Sequence, residues 1–209
     1  DLSTIDTLNL EIEETQKELV FALGEIAESR SAETSNHVKR VGEISKILAS
    51  SYKLPDAETE IIRLAASMHD LGKLAIHDSI LTKPGALTLE EFAIMKTHSE
   101  IGYKMLKASK RPLLQIAAII AYQHHENYDG TGYPQGLKGK DIHLYSRIVA
   151  LADVFDALGN QRSYKLPWAN CTIKAYISEQ SGKKFDPQIV NLLFKNFDTI
   201  SAVRGFFPD

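Results

Sequence analysis

An all-α protein is what the sequence predicts, and three observations carry that reading. Apolar residues recur at three- and four-residue spacings along most of the 209-residue chain. No stretch alternates apolar and polar residues as a half-buried strand would. Helix-start chemistry punctuates the pattern at Pro55-Asp56, Thr88-Leu89-Glu90-Glu91, Pro112 and Asp186-Pro187.

Taken in order, residues 4–30 carry Ile5, Leu8, Ile12, Thr15, Leu19, Ala22 and Ile26, the three-four spacing of a coiled-coil seam. A helix packed on its own domain would read the same way, and both readings stay open. Residues 1–30 are assigned to a long N-terminal linker or signalling helix, and residues 31–209 to one main domain. A second helix is expected from Ser35 to Tyr52, with Val38, Val41, Ile44 and Leu48 on its inner face. A third follows Pro55, with Asp56 as cap, and its face Ile61, Leu64, Ala65 and Met68 leads into His69. Residues 74–87 read as a loop with a Lys83-Pro84-Gly85 turn. The capping box opens a helix carrying Phe92, Met95, Ile101 and Met105 with His98 among them. Pro112 opens another, in which Leu113, Ile116, Ile120 and His124 share a face. A Gly-rich loop, 127–136, precedes a helix over 144–158, and two more helices are expected over 167–181 and 187–197.

Composition narrows the function. The net charge of -3 with interspersed signs argues against a polymeric nucleic acid as partner, while a small anion held through metal ions stays compatible. The single Cys171 excludes an internal disulfide and a thiolate-rich zinc site, and reads as a small buried apolar residue. No apolar run approaches the ~20 residues of a membrane span, so a soluble, cytoplasmic protein without membrane insertion is expected. The chain begins at Asp1 inside a helical pattern, which suggests a piece of a longer protein with an upstream sensory domain.

The chemistry concentrates around His69-Asp70, where a helix gives way to a Gly turn. Of the 7 His, five lie in stretches that can face this point: His37, His69, His98, His124 and His125. His77 and His143 fall in polar loops. Adjacent imidazoles at a helix end are costly to bury unless something binds them. Asp153, inside Ile148-Val149-Ala150-Leu151-Ala152-Asp153-Val154-Phe155, is an acid in an apolar helix and must be paired or a ligand. Glu33 stands four residues before His37 and shares its face if the helix reaches that far. Each feature alone has a bland explanation: an exposed pair, a core histidine, a solvated charge. Together they suit a sulfur-free cluster of divalent metals. Iron or manganese fits best, and zinc or nickel is compatible. Eight ligands exceed one ion's needs, so at least two ions bridged by Asp70 are expected, able to clamp a phosphoryl group for in-line attack.

His69-Asp70 with His37 and Asp153 resembles the HD superfamily of metal-dependent phosphohydrolases. His124-His125-Glu126 with Asp129-Gly130-x-Gly132-Tyr133-Pro134 is similar to the signature of its HD-GYP subgroup, phosphodiesterases of the bacterial messenger cyclic di-GMP. The resemblance covers about residues 30–197 and implies an HD-type helical bundle around a multinuclear site. It implies hydrolysis of cyclic di-GMP to pGpG, and onward to GMP, by a metal-bridging hydroxide. It implies one metal on His37, His69, Asp70 and Asp153, a second on Asp70, His98, His124 and His125, and a third recruited by Glu33. By the same resemblance Asp70 and Lys73 are catalytic, Lys73 on the scissile phosphate, and Tyr133, Arg162 and Lys165 contact the ligand. Two departures, Ser35-Asn36 and Gly159-Asn160-Gln161, touch no expected ligand, although the second bears on substrate choice. The alternatives are a phosphohydrolase of another nucleotide and a catalytically silent cyclic-dinucleotide-binding module. A homodimer through the N-terminal helix is the expected assembly.

Overall fold

The computed structural model describes residues 2–31, 34–160 and 166–208. Its helices are α1 (Leu2–Ser29), α2 (Ser35–Ser51), α3 (Asp56–Ala66), α4 (Asp78–Leu81), α5 (Leu89–Leu106), α6 (Pro112–Gln123), α7 (Leu144–Gly159), α8 (Asn170–Glu179), α9 (Pro187–Lys195) and α10 (Phe197–Phe206). A 3-10 turn, Leu71–Ala75, follows α3. Among the described residues the one β-type pairing is an isolated bridge between Ser181 and Phe185. The all-helical reading is what the structure shows.

Helix α2 runs through the middle of the core. Val38, Val41, Ile44 and Leu48 are fully buried, as their spacing requires, and the last three join Ile62 and Ala65 of α3 and Ile148, Leu151 and Phe155 of α7 in one apolar cluster. Burying each such side chain contributes about 1.5–3 kcal/mol. Helices α8 to α10 close the other side of α7 with Ile173, Ile177, Ile189, Leu193 and Ile200.

The two readings of the N-terminal helix each describe part of α1. Its seam residues Ile5, Leu8, Ile12, Leu19 and Ile26 are 51–60% exposed, so the seam is not used within the chain. A different face, Val20, Ala27 and Glu28, is buried against the domain. Gly24 permits that approach: a Cβ there would lie 2.2 Å from the Ser67 carbonyl oxygen at the end of α3.

Local chemistry sets most helix ends. Thr88 accepts from the Glu91 amide at 3.2 Å, and the Glu91 carboxylate accepts from the Thr88 amide at 2.8 Å, the reciprocal capping box expected. Asp186 caps α9 by accepting from the Gln188 amide at 2.8 Å, with Pro187 in the first turn. His77 and His143 also act as caps, accepting from the Ser79 and Tyr145 amides.

Five expectations need correction. Asp56 is the first residue of α3, not its cap; Pro55 holds the cap position, and no side chain bonds there. The segment expected as a loop over 74–87 holds the four-residue α4, nucleated by the His77 cap. In α5 the buried face is His98, Ser99, Gly102 and Leu106, while Phe92 and Met105 are exposed. The helix turns His98 inward rather than its largest apolar residues. Cys171 is exposed in the first turn of α8 and not buried, because the inner face there belongs to Ile173 and Ile177. The last helical stretch breaks at Asn196 (φ -111°, ψ 19°), and α10 continues beyond it.

Candidate metal centre

Four elements deliver five histidines to one point. His37 stands in the first turn of α2, His69 in the turn that ends α3, and His98 in mid-α5. His124 caps the C-terminus of α6, and His125 follows it. Asp70 opens the 3-10 turn, and Asp153 points from α7. The turn carrying Asp70 lies against α5 because residue 72 is glycine: a Cβ there would sit 1.9 Å from the His98 carbonyl oxygen.

Asp70 is the hub. Its Oδ1 lies 3.1 Å from His98 Nε2 and 3.5 Å from His124 Nε2, and its Oδ2 lies 3.2 Å from His69 Nε2 and 2.6 Å from Lys73 Nζ. His37 Nε2 is 3.4 Å from Asp153 Oδ1. Two groups have ligand atoms within 4.8 Å of one another: Asp70, His98, His124 and His125 in one, Glu28, His37 and His69 in the other.

The rings are oriented from behind. His69 Nδ1 donates to the Ala66 carbonyl at 2.7 Å, His98 Nδ1 to Met95 at 2.7 Å, and His124 Nδ1 to Ala121 at 3.0 Å. A carbonyl only accepts, so each Nδ1 carries a proton, and in the neutral ring Nε2 presents a lone pair inward. The His98 and His124 Nε2 atoms face each other at 3.4 Å, an arrangement of two lone pairs that a cation between them would relieve. His69 Nε2 and Asp70 Oδ1 are buried and make no hydrogen bond among the described residues. These features fit a multinuclear divalent-metal site built from imidazole and carboxylate.

The ionisation states agree with ligation. Burial pushes the His125 imidazole well below its ordinary value and lowers His124, keeping both neutral. Burial also disfavours the Asp70 carboxylate, but Lys73 and His69 outweigh it and hold Asp70 well below the usual range. Burial is likewise overcome at Asp153, which stays ionised beside His37 and His69. His69 is the exception: burial opposes the proton, yet Asp70, Asp153 and Glu28 together raise it to about 9, so a metal on its Nε2 would have to displace a proton.

Around the centre lies a cavity of about 300 Å³ lined by Asp70, Lys73, His98, His124, His125, Tyr133, Asp153 and Lys184. Tyr133 stacks on His125, ring centroids 4.8 Å apart, at its mouth. Glu126 organises this loop: its buried carboxylate accepts from the Gln135 and Leu137 amides at 2.7 and 3.0 Å.

The structure thus brings together His37, His69, Asp70, Lys73, His98, His124, His125, Tyr133 and Asp153. Glu33, Arg162 and Lys165 lie outside the described residues. Sequence reasoning missed Glu28, 1% exposed, because its helix read as a coiled-coil seam. It also missed Asp156, fully buried, which accepts from His37 Nδ1 at 2.8 Å and from Arg40 Nε at 2.8 Å. The signal was present: Asp153/Asp156 and His37/Arg40 are both three apart on their helices.

The description of the HD domain family matches residues 22–189, starting inside α1. The chain belongs to the HD domain family. It is 47% identical over 208 residues to 3'3'-cGAMP-specific phosphodiesterase 2 of Vibrio cholerae, a match that takes in 99% of this chain and 40% of that protein. It is 43% identical over 197 residues to the cyclic di-GMP phosphodiesterase response regulator RpfG of Xanthomonas campestris pv. campestris, covering 94% of this chain and 52% of that protein. The chain therefore spans 40–52% of the length of these relatives. Among solved structures, a cyclic GMP-AMP specific phosphodiesterase of V. cholerae superposes with a TM-score of 0.67 at 18% identity, over 90% of this chain and 50% of that one. That likeness shows a shared HD-domain fold.

Proposed function

We propose that this HD domain is a metal-dependent phosphodiesterase of the HD-GYP subgroup that opens a cyclic dinucleotide. Cyclic di-GMP is the proposed substrate, with pGpG and then GMP as products. The observation that carries the reading is the Asp70-centred convergence of five histidines beside Lys73 in an open cavity. The names of the relatives point to the same substrate class. The 47% identity to a 3'3'-cGAMP-specific enzyme favours a second reading, with the hybrid dinucleotide as substrate.

Asp70, His98, His124 and His125 would hold one ion; His37, His69, Asp153 and Glu28 would hold a second, with Asp70 shared between them. Glu33 stands as the proposed recruiter of a third. Iron is the proposed metal, with manganese next. Such ions supply Lewis-acid polarisation of a phosphoryl oxygen and a lowered pKa for attacking water. The chain's own groups do the rest. Lys73, held at 2.6 Å from Asp70, places an ammonium where charge accumulates on the phosphate and the leaving oxygen. The carbonyl-tethered imidazoles keep their lone pairs aimed and need no reorganisation during reaction. Tyr133, stacked on His125, offers a face at the mouth for a base or ribose, and Arg162 and Lys165 complete the proposed ligand contacts.

The exposed seam of α1 suits a parallel homodimer, with an upstream sensory domain acting through it in a cytoplasmic protein. No helix among the described residues is long and apolar enough to cross a membrane. The deciding experiment is product chromatography after anaerobic incubation with Fe(II) or Mn(II), comparing cyclic di-GMP and 3'3'-cGAMP, beside His69→Ala. Linear products that require His69 are expected. Full metal occupancy with no product from either nucleotide would overturn the reading and leave a silent binding module, which equilibrium binding would then identify.

A further inference from the structure

The last residues of the N-terminal helix reach the underside of the turn that carries Lys73. Arg30, just past the end of α1, donates to the Leu74 carbonyl, to the Ile76 carbonyl at 2.9 Å and, at longer range, to the Lys73 carbonyl at 3.4 Å. The same Nη2 that bonds the Ile76 carbonyl also pairs with Asp78 Oδ1 at 2.7 Å. These carbonyls lie at the end of the 3-10 turn Leu71–Ala75, where the Lys73 carbonyl also accepts the Ile76 amide at 3.0 Å. One planar guanidinium therefore caps the turn from outside, with several donors in a fixed fork that a lysine cannot reproduce. Two residues earlier, Glu28 places its Oε2 at 3.7 Å from Lys73 Nζ, on the other side of the same turn.

We infer that Arg30 is the positioning residue for Lys73: it fixes the 3-10 turn, and through it the ammonium that faces the substrate phosphate. The catalytic part of this inference rests on the phosphodiesterase reading above. A helix of 28 residues, about 42 Å long, presents an unpaired apolar seam along its length and grips the Lys73 turn at its end. A shift or rotation of α1 is thereby transmitted to the turn through Arg30.

The test compares Arg30→Gln, Arg30→Lys and Lys39→Ala in the full chain loaded with Mn(II). Lys39 pairs with Glu25 of α1 at 2.9 Å but touches nothing at the turn, so it controls for loosening α1 generally. Arg30→Gln is expected to speed amide hydrogen exchange in residues 71–78 and to lower kcat about tenfold through misplacement of Lys73. KM and bound metal should stay near wild type. Arg30→Lys should recover only part of the loss, and Lys39→Ala should change neither readout. Unchanged exchange in 71–78 overturns the inference, as does loss of metal or global unfolding in Arg30→Gln, which would make Arg30 a general structural residue. Faster exchange with unchanged kcat also overturns it, because the turn would then be held without consequence for the reaction. If wild type turns over no cyclic dinucleotide, the functional reading falls while the exchange data still decide whether Arg30 holds the turn.

Discussion

The two ligand groups of the centre are held in different ways. Asp70, His98, His124 and His125 form a group whose His98 and His124 rings are tethered to carbonyls of their own helices. In the group Glu28, His37 and His69, only His69 has such a backbone tether, to Ala66, and His37 depends on a distant side chain. His37 is oriented by Asp156 of α7, and Glu28 accepts from Ser31 at 2.8 Å and sits beside Lys73. A tether to local backbone survives most substitutions, because no side chain elsewhere supplies it. A tether to a remote carboxylate is lost when that residue changes. The first group should therefore resist mutation outside its ligands, and the His37 side of the second should not.

The largest effect is expected where the groups meet. Asp70→Ala should remove bound metal from both groups and abolish turnover, read by metal analysis and product chromatography; retention of a full complement would break the hub. Glu28→Gln should empty or weaken only the group containing His37 and His69, leaving about half the metal, and an undiminished stoichiometry would remove Glu28 from the ligand set. Asp156→Asn should lower metal affinity of that same group about 10–100-fold, the usual cost of a lost orienting partner. Arg40, buried and bonded to Asp156, makes a lowered melting temperature part of that expectation. Equal weakening of both groups would sink the contrast. Tyr133→Phe keeps the ring stacked on His125 and removes only the hydroxyl, so a rise in KM with little change in kcat is expected. An unchanged KM would take the phenol out of ligand contact.

The smallest effect lies away from both groups and sets their baseline. The hydrogen bond from Arg63, aided by Lys46, holds the Glu60 carboxyl down to about 2, against an ordinary 4.5. A lowered folded-state pKa means stability that is fully present above pH 4.5 and is lost as pH falls toward 2. Glu60 is part-exposed and its partner Lys46 is exposed, so Glu60→Gln should cost under about 1 kcal/mol at neutral pH. That difference should vanish in denaturant titrations as the solution is acidified through this window. A difference that persisted at the low end would assign Glu60's contribution to packing instead.

Legibility in the sequence followed the range of the interaction. The capping box, the apolar face of α2 and the paired imidazoles at the end of α6 are local patterns, and local patterns are written in adjacent letters. Glu28 illustrates the opposite case. On the sequence it is one of several acids in a helix with a heptad seam, and nothing nearby marks it as buried. It becomes part of the site because Gly24 lets α1 abut the end of α3. Cys171 is a case of the same kind: its burial depends on which face of α8 meets α7 and α9, and a single residue carries no phase.

By itself the sequence determined the chemical character of the centre, an imidazole and carboxylate set without sulfur, and the helices that present it. Those follow from residue type and short-range periodicity. Only the tertiary structure decided which carboxylates join the histidines, which side chains stand behind the rings, and that the end of α1 grips the Lys73 turn. The physical reason is that these contacts join residues dozens of positions apart. Their distances are set by how the helices pack, and no local pattern encodes that packing.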